Sequence, residues 1–155
     1  MCIVVDPPAL IPTFKTSDPK HPLFLPLKNW LDTPHGKLIY GGALYRTELS
    51  KLGSIFGVLA ELQRKGKIVI IPDQLVDAEV EKVKGIEPRA DFDDPHLVAI
   101  VRTSGCKLIC LIDPRAHRYL RDSKFYESSK DRPKLYTRPK NASLFCKENI
   151  GRCCK

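Results

Sequence analysis

Asp6, Glu48, Asp94 and Asp113 are the residues of this chain whose type and spacing could do chemistry. Asp6 and Asp113 end short apolar runs, CIVVD (2–6) and KLICLID (107–113). Glu48 and Asp94 lie in segments that read as helical, ALYRTELSKL (43–52) and DPHLVAIV (94–101). A short apolar run of β-forming residues is a buried strand in an α/β fold, and ligands of such sheets bind outside the carboxyl ends of the strands. Carboxylates gathered there repel one another unless a cation lies between them. An all-oxygen donor set suits Mg²⁺ or Mn²⁺.

These acids need strands to present them, and the rest of the chain supplies a candidate set. Strand CIVVD is followed by a proline-rich connection (7–22) and by LFLPLKNWLDTP (23–34), whose spacing predicts a short helix interrupted at Pro26. KLIYGG (37–42) is the next strand. Residues 43–64 carry the longest helical pattern, weakened at Gly53 and Gly57. GKIVIIP (66–72) reads as a strand, and Asp73 as the cap of a helix ending near Gly85. After the acidic loop EPRADFDD (87–94) comes helix PHLVAIVRTSG, stopped by Gly105. Strand KLICLI, helix RAHRYLRDSKF and a last strand KLYT (134–137) complete the series. Alternation of this kind predicts a single-domain α/β/α sandwich on a mostly parallel sheet over residues 1–140, with 141–155 as a basic, cysteine-containing tail. Neither a dinucleotide fingerprint nor a phosphate-loop motif occurs.

Lys and Arg outnumber Asp and Glu by 26 to 18, a formal charge of +8. A basic surface around an acidic cluster suits phosphodiester chemistry, because the surface holds phosphates that the acids alone would repel. No apolar stretch approaches a membrane span, and the chain passes straight into CIVVD without a secretory leader, so the expected compartment is the cytoplasm. The six cysteines form no paired metal motif. Cys2, Cys106 and Cys110 read as small core residues, and Cys146, Cys153 and Cys154 as free thiols.

The block DDPHLVAIVRTSGCKLICLIDPRAHRYL (93–120) resembles the C-terminal half of bacterial PIN domains. There an Asp opens a helix with an apolar-apolar-Ala run, a small-Gly turn follows, and an apolar strand ends in a second Asp. Ala99, Ser104-Gly105 and Asp113 fit that pattern, and KLYTRP (134–139) stands in the place of the edge strand. Upstream, CIVVD matches the first strand with its Asp, and YRTEL carries the Glu of an early helix. The resemblance implies an endoribonuclease using Mg²⁺ or Mn²⁺, with Asp6, Asp94 and Asp113 binding metal and Glu48 binding metal or orienting the attacking water. It also implies a toxin-like or defence-related role, and leaves room for an antitoxin or other protein partner and for a homodimer.

Two departures support a rival reading. Pro7-Pro8 follow the first Asp, and Leu111-Ile112 precede the last, where polar residues usually orient the ligands. The rival is a non-catalytic PIN-like module that binds RNA or a protein; cleavage of DNA by the same centre is a third option. Singly, each acid also has a plainer explanation. Asp94 could cap the helix that begins with Pro95, leaving Asp93 as the ligand. Asp113-Pro114 could be a turn, and Glu48 one solvated charge. Asp6 is harder to dismiss, because a charge ending a buried strand is costly. His96 reads as a core or surface residue. Arg46, Arg115 and Arg118, each beside a proposed acid, are the expected RNA contacts.

Overall fold

A computed structural model describes residues 1–152. Its five-stranded sheet has the order β3-β2-β1-β4-β5, with every pairing parallel. The strands are β1 (Cys2–Val5), β2 (Lys37–Gly41), β3 (Ile68–Ile71), β4 (Leu108–Cys110) and β5 (Lys134–Tyr136). Seven α-helices join them: α1 (Pro7–Phe14), α2 (His21–Asp32), α3 (Ala43–Ser50), α4 (Phe56–Arg64), α5 (Asp73–Ile86), α6 (Pro95–Ser104) and α7 (Arg115–Arg121). The result is the α/β/α sandwich that the alternation predicts. Central β1 is buried at every residue, as an all-apolar run flanked by two partner strands must be. Cys2, Cys106 and Cys110 all lie in the core. Cys146 is a free, half-buried thiol, whereas Cys153 and Cys154 fall outside the described residues.

Several elements differ from expectation for identifiable reasons. The proline-rich connection is helical over α1, because Pro7 and Pro8 occupy its first turn, where a missing N–H costs nothing. Pro12 removes one internal bond, and the residue that would have accepted it, Pro8, is exposed to water. Helix α2 likewise runs through Pro26, with Pro22 at the exposed acceptor position. The long helix over 43–64 is instead two helices, separated by a 3-10 turn at Gly53–Ile55. Phe145 stacks on Trp30 at 4.8 Å and on Tyr136 at 5.1 Å, and Asn149 is buried. The stretch after residue 140 is therefore packed on the domain as far as it is described.

Asp73 does not cap its own helix, whose N-cap is Pro72. Its carboxylate accepts the Gly42 N–H at 2.9 Å and the Arg46 guanidinium, while Asp77 accepts the Ala43 N–H at 2.8 Å. Two acids of α5 thus satisfy the opening N–H groups of α3, a helix that begins at Gly42 without a capping side chain. Gly42 itself sits at φ +90° and ψ 149°, a region open to glycine, and a Cβ there would lie 2.6 Å from Val76 Cγ1. Gly42→Ala is therefore expected to destabilise the fold by about 3 kcal/mol, lowering the melting temperature by roughly 6–12 °C. An unchanged thermal melt would mean that this junction relaxes freely.

The sheet order also places a ligand site. From β1 the chain moves outward through β2 and β3, then returns to add β4 and β5 on the other side of β1. The connections therefore diverge between β1 and β4, and a crevice opens at the carboxyl ends of those two strands. Asp6 directly follows β1, and Asp113 lies three residues beyond β4.

Candidate metal centre

Helix α6 brings the third acid to this crevice. Residues Pro95–Val101 are all buried, so the helix is held on several sides and its first turn is rigidly placed beside the end of β1. Asp94 occupies the N-cap position but makes no capping side-chain hydrogen bond, so the cap explanation accounts for its place and not for its carboxylate. Helix α3 contributes Glu48 and packs against α6. Its Tyr45 is fully buried and donates its hydroxyl to the Val5 carbonyl, fixing α3 to the end of β1.

Asp6, Glu48, Asp93, Asp94 and Asp113 border one cavity of about 340 Å³, together with Pro7, Pro8, Lys51, Leu52 and Arg115. All four acids singled out in the sequence are thus brought together. A cavity of about 400 Å³ opens at the far end of α6, beside Arg102 and Gly105 and away from the acids. Size alone does not mark the site; its titratable groups do.

Asp6 is 6% exposed. Burial pushes its carboxyl up to about 8, and the charges of Asp94, Glu48, Asp113 and Asp93 push in the same direction. Burial, opposed by the nearby His96, also raises the Asp94 carboxyl, with Asp93, Glu48 and Asp113 adding to the rise. Asp113 behaves oppositely. Its two oxygens accept the backbone N–H of Arg115 at 2.8 Å and the Arg115 guanidinium at 2.8 and 2.6 Å. These bonds hold its carboxyl below the usual range and close the turn into α7. The plainer reading of Asp113 as a turn residue has direct support, although the residue also borders the cavity.

His96, which reads from the sequence as a core or surface residue, lies beside these acids. The residue is 1% exposed, and among the described residues neither ring nitrogen has a hydrogen-bond partner. Nε2 lies 3.5 Å from Glu48 Oε2, beyond a well-made hydrogen bond, and the ring meets Tyr45 edge-on. An unpartnered buried polar group costs about 1–3 kcal/mol, a cost that a bound water or an ion would remove. Glu48, Asp94 and His96 each offer one donor atom, and these lie within 4.8 Å of one another. The three could hold a metal ion. Asp94 is common to this group and to the trio expected from the sequence. Asp6 and Asp113 border the same cavity without joining it. The signal that could have found His96 was an imidazole two residues after an acid, inside an otherwise apolar helix.

The arginines are less uniform than expected. Arg115 borders the cavity, contacting Asp113 and lying 3.7 Å from Asp93. Arg46 instead pairs with Asp73 and lies over the Tyr40 ring. Arg118 pairs with Asp91 and lies 4.6 Å over the Tyr119 ring. Neither lines the cavity; the other basic residue that does is Lys51. Among the described residues, no helix is long and apolar enough to cross a membrane. Comparison of the chain with family models, curated proteins and solved structures found no match in any of the three.

Proposed function

We propose that this protein is a divalent-metal-dependent endoribonuclease of PIN type. The observation carrying the proposal is the convergence of Asp6, Glu48, Asp94 and Asp113, from separate elements, on one cavity at the switch point of a parallel sheet. Glu48 and Asp94 would hold the ion, Mg²⁺ or Mn²⁺ in this reading, with Asp6 and Asp113 at the border of the same cavity. Such an ion supplies Lewis-acid activation of water and neutralises charge on a phosphodiester. The chain supplies the rest. Repulsion among the acids makes the cavity favourable for a cation, while Lys51 and Arg115 at its border are placed to receive phosphates. The formal charge of +8 favours a polyanionic substrate from a distance.

A second reading has its own observation. Asp113 is engaged at both oxygens by Arg115, and the residue two before it, Leu111, is buried and apolar. This supports a PIN-like module that binds RNA or a protein without cutting.

One experiment separates the two. Purified protein is incubated with a panel of single-stranded and structured RNAs, and with matched DNAs, in Mg²⁺ or Mn²⁺ and then in EDTA. RNA cleavage that requires the ion and stops on chelation is expected. Cleavage undiminished by rigorous chelation would overturn the metal reading. Retention of RNA without cleavage across the whole panel would favour the binding module.

A further inference from the structure

The sequence offers an all-oxygen donor set, but the folded chain puts an imidazole into it. We propose that His96 is a metal ligand, so that the centre takes a first-row transition ion such as Mn²⁺, Co²⁺ or Zn²⁺ in preference to Mg²⁺. This rests on the reading of the cavity as a metal centre and specifies which ion fits it. Two independent observations meet at the same place. Glu48, Asp94 and His96 offer donors within 4.8 Å of one another, and the His96 ring is buried with both nitrogens unpartnered.

Among the described residues no group makes a hydrogen bond to that ring. Tyr45, its edge-on neighbour, has committed its hydroxyl to the Val5 carbonyl. Glu48 Oε2 stands 3.5 Å from Nε2. Ligands with bonds of about 2.1 Å lie about 3.0–3.4 Å apart in octahedral or tetrahedral array, so donors within 4.8 Å of one another must draw in by up to about 1.5 Å. Glu48, on the half-exposed side of the group, has the freedom to do so. His96, on the buried face of α6, is already in place.

Donor type then decides the ion. Mg²⁺ demands oxygen in near-ideal octahedral array and sheds its water reluctantly, so a buried imidazole is a poor ligand for it. Imidazole suits the later first-row ions, whose affinity for mixed nitrogen and oxygen sites rises from Mn²⁺ through Co²⁺.

Titration calorimetry of the chelator-stripped full-length protein with Mg²⁺, Mn²⁺ and Co²⁺ tests the proposal, with the visible spectrum of the Co²⁺ form as a direct report on its ligands. The wild type is expected to bind Co²⁺ at least about tenfold more tightly than Mg²⁺. His96→Gln and His96→Leu should each lose about 100-fold in Co²⁺ affinity, shift the Co²⁺ spectrum and change Mg²⁺ binding little. The ring faces Glu48 and Asp94, so both variants are first melted in EDTA, and His96→Gln serves if His96→Leu does not fold. A wild type that binds Mg²⁺ and Co²⁺ equally, or a Co²⁺ affinity and spectrum unmoved by both variants, would overturn this assignment and leave the metal centre standing. A wild type that binds none of the three ions would overturn both.

Discussion

Asp94→Asn is expected to abolish RNA cleavage, with a loss on the order of 10³-fold or more, equivalent to about 4 kcal/mol of barrier. The substitution is chosen for what it preserves. Asn caps helices as well as Asp does and has the same shape, so the start of α6 is unchanged and only the charge is lost. That charge belongs to a group that can hold a cation and makes no capping hydrogen bond within its helix. A second readout does not depend on activity. At an ion concentration of about 100 times Kd, binding stabilises the native wild type by about 2.7 kcal/mol, a rise in melting temperature of roughly 5–11 °C. Asp94→Asn should show almost none of that rise. Equal stabilisation of variant and wild type by Mn²⁺ would remove Asp94 from the ligand set.

Asp6→Asn should make the metal-free protein more stable, by roughly 5 kcal/mol at pH 8, and should flatten its pH dependence. The sign follows from the carboxyl pushed up to about 8 in the fold by burial and by its acidic neighbours. In the unfolded chain an Asp ionises near its ordinary value of about 3.9. Below that pH both states carry the proton, and the group's contribution to stability is fully present. Between there and about pH 8 the folded state keeps a proton that the unfolded chain has released. Stability therefore falls as pH rises, by up to about 1.4 kcal/mol per unit. The neutral amide has no proton to hold or release. Thermal melts in EDTA from pH 4.5 to 8.5 should show wild type declining and Asp6→Asn nearly level, about 10–20 °C higher at the alkaline end. Parallel curves for the two proteins would mean that Asp6 is ionised in the native state and that the acids do not repel one another as their positions require.

Both predictions use residues that stand out in the sequence, and the reason lies in local physics. An apolar run ending in Asp marks β1 and its carboxyl end, because only a strand buried on both faces is uniformly apolar. Asp94-Pro95 and Gly105 bracket α6, since proline suits the first helical turn and Gly105 ends the helix at φ +65°. Other local signals pointed the wrong way. Prolines of the 7–22 connection instead begin α1, and Pro26, expected to interrupt a helix, lies within α2; the freed acceptors face water. The apolar steps from 43 to 64 run on through the break that Gly53 marks, because periodicity records which residues face the core and not whether one helix presents them.

Residue types, periodicity and helix punctuation by themselves determined the α/β alternation, the central buried strand and the acids at strand and helix ends. The tertiary structure alone decided which of those acids meet a partner and of what kind. Arg46 neighbours Glu48 in sequence, yet it pairs with Asp73 across a helix packing. Asp113 is captured by Arg115 two residues later, although it borders the same cavity as the other acids. Glu48 and His96 lie 3.5 Å apart only because β4 returns to the far side of β1 and carries α6 against α3. Capping and amphipathicity act within one or two helical turns and leave marks in neighbouring residues. A donor set is assembled by strand order across dozens of residues, and a buried imidazole looks the same in sequence whether it packs in a core or faces an ion.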